Sequence, residues 1–216
     1  MPRPSEESPY RLLVEGDDDL HSVIHLLALH GFDWDDERKV RPYLHAEGGA
    51  ENLLKVLPVA LKGTYERIGV ILDANASLSN RWAQLRERSN RLGVELPDSP
   101  LPDGTICEGP RPGRRFGVWI MPDNASAGAL ESFLSRLVPA ADTIWSYAGE
   151  VVAEARMRGA RCLEKDHDKS VLRTWLAWQE EPGLRFGTAL RARIFDQDSE
   201  TARRFVAWFN RLFVEP

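Results

Sequence analysis

Tyr10-Arg11-Leu12-Leu13-Val14-Glu15-Gly16-Asp17-Asp18-Asp19 is the stretch on which the fold turns. A run suited to a strand ends at a glutamate and a glycine, and three aspartates then open a helix. Leu20, Val23, Ile24 and Leu27 follow at helical spacing. His30-Gly31 stops that helix, with glycine in the C-terminal position. A strand, a turn and a helix in such quick succession is how an α/β domain begins.

The rest of the chain extends the pattern. Val40 to His45 is expected as a short strand, and Gly48-Gly49 leads into a helix with Leu53, Leu54, Leu57 and Leu61 on one face. Pro58 lies inside that helix and is expected to kink it. Arg67 to Leu72 carries Ile68, Val70, Ile71 and Leu72, a nearly continuous apolar run of the kind buried on both faces of a parallel sheet. It ends at Asp73-Ala74-Asn75. A helix from about Ser79 to Leu92 turns Trp82 and Leu85 inward and its arginines outward. Residues 97–113 are dense in proline and glycine and read as an ordered loop or hairpin limb, with Thr105-Ile106-Cys107 as a short strand. Arg115 to Met121 is another strand, ending at Pro122-Asp123-Asn124. Helical patterns then follow through Leu130 to Leu137, Ile144 to Ala155 and Ser170 to Gln179. Phe205, Trp208, Phe209, Leu212 and Phe213 mark an amphipathic final helix. The expected fold is α/β: a mostly parallel central sheet flanked by helices, with a helical C-terminal part. Residues 10–216 read as a single domain, and the proline-rich residues 1–9 as a disordered lead-in.

Composition narrows the function classes. Of 216 residues, 43% are hydrophobic, enough for a sizeable core. No apolar run is long enough to span a membrane, and the N-terminus lacks the apolar stretch of a signal peptide. Cys107 and Cys162 have no metal-ligand spacing and read as free thiols in a reducing cytoplasm. A net charge of -5, from 28 basic and 33 acidic residues, argues against indiscriminate polyanion binding but leaves room for a local basic groove. Most of the seven tryptophans are expected as core anchors. No Walker lysine loop, dinucleotide-binding glycine motif, serine elbow or zinc-protease motif is present.

Three apolar strands end in acidic or amide side chains: Glu15, then Asp73 with Asn75, then Asp123 with Asn124. In open α/β sheets, ligands bind outside the carboxyl ends of the strands. Parallel strands would bring these ends to one edge, where carboxylates repel unless a cation joins them; magnesium suits such oxygen ligands. Plainer readings stand beside this one. Asp17, Asp18 and Asp19 suit a helix N-terminus as caps. Asp73-Ala74-Asn75 could cap the following helix, and Asp123-Asn124 could be an ordinary turn. Gly48-Gly49 either offers amides to a phosphate or simply starts a helix flexibly. Glu131 also reads as a solvated helix residue, and Glu164 to Lys169 as a charged helix entrance. Arg111, Arg114 and Arg115 flank the proline-rich loop, either as a solvated charge run or as contacts to a nucleic-acid backbone.

Val14-Glu15-Gly16-Asp17-Asp18-Asp19 on a first strand-to-helix turn resembles the opening motif of the Toprim domain of topoisomerases, primases and nucleases of the overcoming-lysogenization-defect type. Leu72-Asp73-Ala74-Asn75 stands where that domain has Asp-x-Asp. The wider pattern is closer to a Toprim-like family of unknown function, domain of unknown function (DUF) family 3226. That pattern comprises Glu15 to Asp19, Gly48-Gly49, Leu72 to Ala74, Trp119 to Asn124 and Gly128-Ala129-Leu130-Glu131. Lys169 ahead of Thr174 to Gln179, and Pro182-Gly183, complete it. The resemblance covers most of the chain, from about Leu12 to Phe213.

The resemblance implies roles. Glu15 would act as general acid or base, or sit beside the metal. Asp73 would be the first metal-binding aspartate and Asn75 would occupy the position of the second, a departure, since an amide brings a neutral oxygen. Asp123 and Glu131 would help hold a second ion, and Lys169 would meet a phosphate. The implied function is magnesium- or manganese-dependent phosphodiester chemistry on nucleic acid, nucleolytic in type. The alternative is a non-catalytic Toprim-like interaction or regulatory module. Defence against phage is an expectation by fold analogy for either. A homo-oligomer or a partner protein is compatible with both.

Overall fold

In the first strand, β1 (Tyr10–Val14), Leu12 and Val14 face one side of the sheet and Leu13 the other, and all three are buried. A computed structural model describes residues 7–36 and 38–216. After β1 come α1 (Asp17–Leu29), β2 (Tyr43–Ala46), α2 (Ala50–Lys62), β3 (Arg67–Asp73), α3 (Leu78–Asn90), β4 (Thr105–Glu108) and β5 (Arg115–Met121). The remainder is helical: α4 (Leu130–Ser135), α5 (Thr143–Met157), a 3-10 turn at Glu164–Asp166, α6 (His167–Ala177), α7 (Phe186–Arg191) and α8 (Glu200–Phe213). The strands form one five-stranded sheet in the order β2-β1-β3-β5-β4. β1, β2, β3 and β5 run parallel, and β4 lies antiparallel on the edge beside β5. The expected α/β architecture is the observed one.

Side-chain alternation along the strands divides the core in two. Leu12, Val14, Ile71, Trp119 and Met121 face α1 and α4 to α8. Leu13, Ile68, Val70, Leu72, Phe116, Val118 and Ile120 face α2 and α3. Each central strand buries both faces, which is why β3 and β5 read as near-continuous apolar runs. On the α8 side, Gly69 and Gly117 are register partners and leave a slot in the sheet. A Cβ on Gly117 would lie 2.3 Å from Leu212 Cδ2, and one on Gly69 would lie 3.0 Å from the Phe213 ring. Below that slot, two arginines of neighbouring strands hold the end of α8. Arg67 Nη1 donates to the carbonyls of Leu212 (3.0 Å) and Glu215 (2.6 Å), and Arg115 Nη1 to that of Arg211 (3.2 Å). Cations at the carbonyl end of a helix also suit its dipole.

Some expectations shift. The strand expected over Val40 to His45 runs instead from Tyr43 to Ala46: Val40 is half exposed and Pro42 has no N–H to give a ladder. Pro58 lies within α2, which is one helix from Ala50 to Lys62. Periodicity does not reveal α7, a six-residue helix too short to show a repeat. It lies so close to α1 that a Cβ on Gly187 would come 2.9 Å from His21 Cβ. Trp34, Trp82, Trp119, Trp175 and Trp208 are buried, whereas Trp178 stacks on Tyr147 at the surface. Of the lead-in expected over residues 1–9, residues 1–6 lie outside the described residues. Ser8 donates its hydroxyl to the Arg41 carbonyl at 2.5 Å, and the Pro9 carbonyl accepts from Glu66 N–H at 2.8 Å. No helix among the described residues is long and apolar enough to cross a membrane.

Candidate functional site

The parallel strands bring the ends of β1 and β3 side by side, and a carboxylate stands at each. Glu15, just past β1, accepts the N–H of Asp73 on its Oε1 at 2.7 Å, so a carboxylate side chain ties the two strand ends together. Burial raises the Glu15 pKa, while that hydrogen bond and the charge of Arg81 partly oppose the rise. Asp73 is pushed up to about 8, by burial first and then by the charges of Asp19, Glu15 and Glu131. The N–H of Leu130 donates to Asp73 and offsets part of this. Asp19, on the first turn of α1, is pushed up to about 7 by burial and by the charge of Glu15. Its Oδ2 accepts the N–H of Gly16 at 3.1 Å. The second oxygens, Asp19 Oδ1 and Asp73 Oδ1, are buried without a hydrogen-bond partner.

Glu131 reaches this group from the start of α4. Asn75 sets that approach: its N–H donates to the Gly128 carbonyl at 2.7 Å, and its carbonyl accepts the Gly128 N–H at 2.9 Å. The bridge ties the end of β3 to the segment entering α4. Asn75 has φ 52°, a left-handed conformation that asparagine tolerates better than most residues, and it is exposed. Glu131 Oε1 pairs with Lys169 Nζ at 2.8 Å, which raises the lysine pKa. Arg81 anchors the rim, donating from Nε to the Asp73 carbonyl at 2.8 Å.

A family model described as protein of unknown function, DUF3226, matches residues 9–214. The chain belongs to that family. No curated protein and no solved structure matches it.

In this DUF3226 chain the structure therefore brings Glu15, Asp73, Glu131 and Lys169 together and adds Asp19, which the sequence alone presents as a helix cap. Asp19 is both: it caps Gly16 and is buried against the strand end, whereas Asp17 and Asp18 are exposed. Asp123 is committed elsewhere, correcting the expectation that it joins the other carboxylates. Its Oδ1 accepts the Ser126 hydroxyl (2.8 Å) and N–H (2.8 Å), and its Oδ2 pairs with Arg136 at 3.0 Å. Burial favours its protonation, but these partners outweigh burial and hold its pKa below the usual value. Asn124 folds back onto β5, accepting Ile120 N–H at 2.7 Å. Gly48 and Gly49 have φ of 73° and 122°. The Gly49 N–H donates to the Glu15 carbonyl at 2.8 Å, so this glycine pair positions Glu15 and does not offer the Gly49 amide to a phosphate. Among the described residues, no group of three or more His, Cys, Asp or Glu is arranged to hold a metal ion.

The raised carboxylates set a pH dependence. Asp19 and Asp73 hold protons in the folded state up to about 7 and about 8, against 3.8 ordinarily. Between the ordinary and the raised values the folded state binds more protons than the unfolded one, so stability falls as pH rises. Each pH unit separating the folded from the unfolded pKa corresponds to about 1.4 kcal/mol, and the coupled pair loses less than the sum. In chelator, the melting temperature is expected to drop between about pH 5 and about pH 8. A rise over that window in thermal melts would refute the buried-carboxylate arrangement.

Proposed function

We propose that this chain is a Toprim-like protein whose carboxylate cluster supports magnesium- or manganese-dependent phosphodiester chemistry on nucleic acid, most simply nucleolytic. The observation that carries this reading is the pair of buried, unpartnered oxygens, Asp19 Oδ1 and Asp73 Oδ1, in one cluster of carboxylates. An ionised oxygen buried without a donor is costly, and a hard divalent cation is the partner that suits oxygen ligands. Magnesium keeps several waters and is often bound by one or two carboxylates plus substrate phosphates, so it does not require a complete protein cage. Asp19 and Asp73 would hold it through those two oxygens, with Glu15 and Glu131 beside them.

When bound, the ion would polarise a phosphoryl oxygen and neutralise developing charge. The chain's own residues do the rest. Glu15 is fixed by the Asp73 N–H and has a raised proton affinity, which suits a general acid or base. Lys169 sits at the rim, half exposed and paired with Glu131, where an incoming phosphate can take over its charge. Arg81 adds a second cation at the same rim.

A second reading, a non-catalytic interaction or regulatory module, draws on the absence of a ready metal-holding group among the described residues and on the Lys169–Glu131 pair, which already neutralises one carboxylate. Use in phage defence and assembly with itself or another protein fit both readings.

The discriminating experiment is cleavage of plasmid, single-stranded DNA and RNA in millimolar manganese or magnesium. Wild-type protein is expected to cut at least one of them. Glu15→Gln is expected to lose about a hundredfold or more of that rate while melting within a few degrees of wild type. Equal rates in the two proteins would remove Glu15 from the chemistry. An inactive wild type whose melting temperature ignores both metals would leave the second reading.

A further inference from the structure

The chain is acidic overall, at -5, yet residues 78–91, which make α3 and its C-terminal cap, carry four arginines against one glutamate. These arginines divide into two kinds. Arg86 and Arg91 are ion-paired, with Asp98 at 2.9 Å and with Glu87 at 2.5 Å. Arg81 and Arg88 are not: among the described residues their hydrogen bonds go to neutral oxygens. Arg81 donates to the Asp73 carbonyl at 2.8 Å and to Gln84 Oε1 at 3.3 Å, and Arg88 donates to the Gln84 carbonyl at 3.0 Å.

Positions 81, 84 and 88 lie at i, i+3 and i+7, on one face of the helix. The buried stripe of Trp82, Leu85 and Ser89 lies beside it, about 100° round the helix, so Arg81 and Arg88 are half-buried along its edge. The row starts at the carboxylate cluster, where Glu15 feels the charge of Arg81, and its far end, Arg88, has no carboxylate partner among the described residues. It extends about 10.5 Å along the helix axis to Arg88, roughly three phosphates of one strand at about 3.4 Å axial spacing. No aromatic ring interrupts this face, so it offers charge and amide donors but no stacking platform.

We infer that the Arg81–Gln84–Arg88 face of α3 binds the phosphodiester backbone of a nucleic-acid strand where it leaves the carboxylate site. This inference rests on the nucleic-acid reading above and adds the path and its sequence-independent mode. Contacts of this kind position a strand without reading bases, and they make binding salt-dependent.

The test is fluorescence anisotropy in chelator, with labelled oligothymidine and oligouridine as separate arms. The variants are Arg88→Glu and, as a control of equal charge loss at ion-paired positions, Arg86→Ala with Arg91→Ala. Arg88→Glu is expected to weaken binding about tenfold or more at low salt and to reduce the slope of log affinity against log salt by roughly 0.7 per lost contact. The control pair is expected to stay within about threefold of wild type, since its charges are already matched by Asp98 and Glu87. A preference for one oligonucleotide with the same Arg88 dependence identifies the sugar and supports the path. Wild-type affinity in Arg88→Glu, or no binding by wild type, overturns it. Stronger binding to anionic phospholipid vesicles than to either oligonucleotide, with the same Arg88 dependence, also overturns it in favour of a lipid surface. The two readings fail separately: Arg88-dependent binding without metal binding or cleavage keeps the path and ends the nuclease, whereas cleavage and binding indifferent to Arg88 do the reverse.

Discussion

Asp73→Asn is expected to melt higher than wild type in chelator above about pH 8, although it removes a residue central to the site. At that pH the wild-type carboxylate is ionised, buried, and surrounded by Asp19, Glu15 and Glu131. Its Oδ1 has no donor. Asparagine keeps the shape and can still accept the N–H of Leu130, but removes the charge. The folded pKa of about 8 against 3.8 sets an upper bound of roughly 6 kcal/mol, and relaxation and water entry reduce this to about 2 kcal/mol. For a chain of this size that is a rise of about 4–8 °C. Near pH 5 the wild-type group is already protonated, so the gap should close. Magnesium should reverse the order, stabilising wild type and leaving the variant unmoved. Melting curves at the two pH values, with and without magnesium, read all of this. A variant that melts lower than wild type in chelator at high pH would show that Asp73 is held by contacts the carboxylate alone can make.

Gly117→Ala is expected to be the most damaging single-methyl change in the sheet. The added Cβ would stand 2.3 Å from Leu212 Cδ2 and 3.1 Å from Leu212 Cγ, both in the packed face under α8. Gly69 beside it is also enclosed, so the sheet has nowhere to shift the methyl. Either α8 moves outward or Leu212 leaves its rotamer, and overpacking of this kind costs about 1–3 kcal/mol. Loss of about 3–10 °C in melting temperature is expected. Leu212→Ala alone should cost about 2–5 kcal/mol through the cavity it leaves. Combined, the two changes should cost less than their sum by more than about 0.5 kcal/mol, because each relieves the other. Strict additivity in denaturant melts would mean that the methyl and Leu212 do not compete for the slot.

Much of the architecture is legible in the sequence because a parallel sheet leaves a plain mark: β3 and β5 are apolar at nearly every position and stop at polar residues. Glu15 and Asp73 are legible for the same reason. Asp19 is not, because an aspartate on a first helical turn already has a sufficient role as a cap, and only the packing shows it buried beneath the strand end. Asp123 misleads in the opposite way. It follows an apolar strand as Asp73 does, but the carboxylate is taken by Ser126 and by Arg136, a pairing that depends on the turn between them. Glu131 rests on the family resemblance, and its approach to the cluster depends on the Asn75–Gly128 bridge, which no periodicity announces. The Gly69–Gly117 slot needs the β3–β5 register, since the two glycines are far apart along the chain and meaningless singly. The arginines of α3 are visible as outward charges; which of them already have carboxylate partners is not.

The grip of Arg67 and Arg115 on the end of α8 bears on how this protein is made. The strands of the sheet are all synthesised by Met121, but α8, which completes the cover of the Leu12, Ile71 and Trp119 face beside α1 and α4 to α7, begins at Glu200. A growing chain therefore carries an apolar sheet face covered only in part while residues 122–199 are still being added. Chaperone demand, and the hazard of sticking to a neighbouring nascent chain, should peak in that interval and end when the last helix docks.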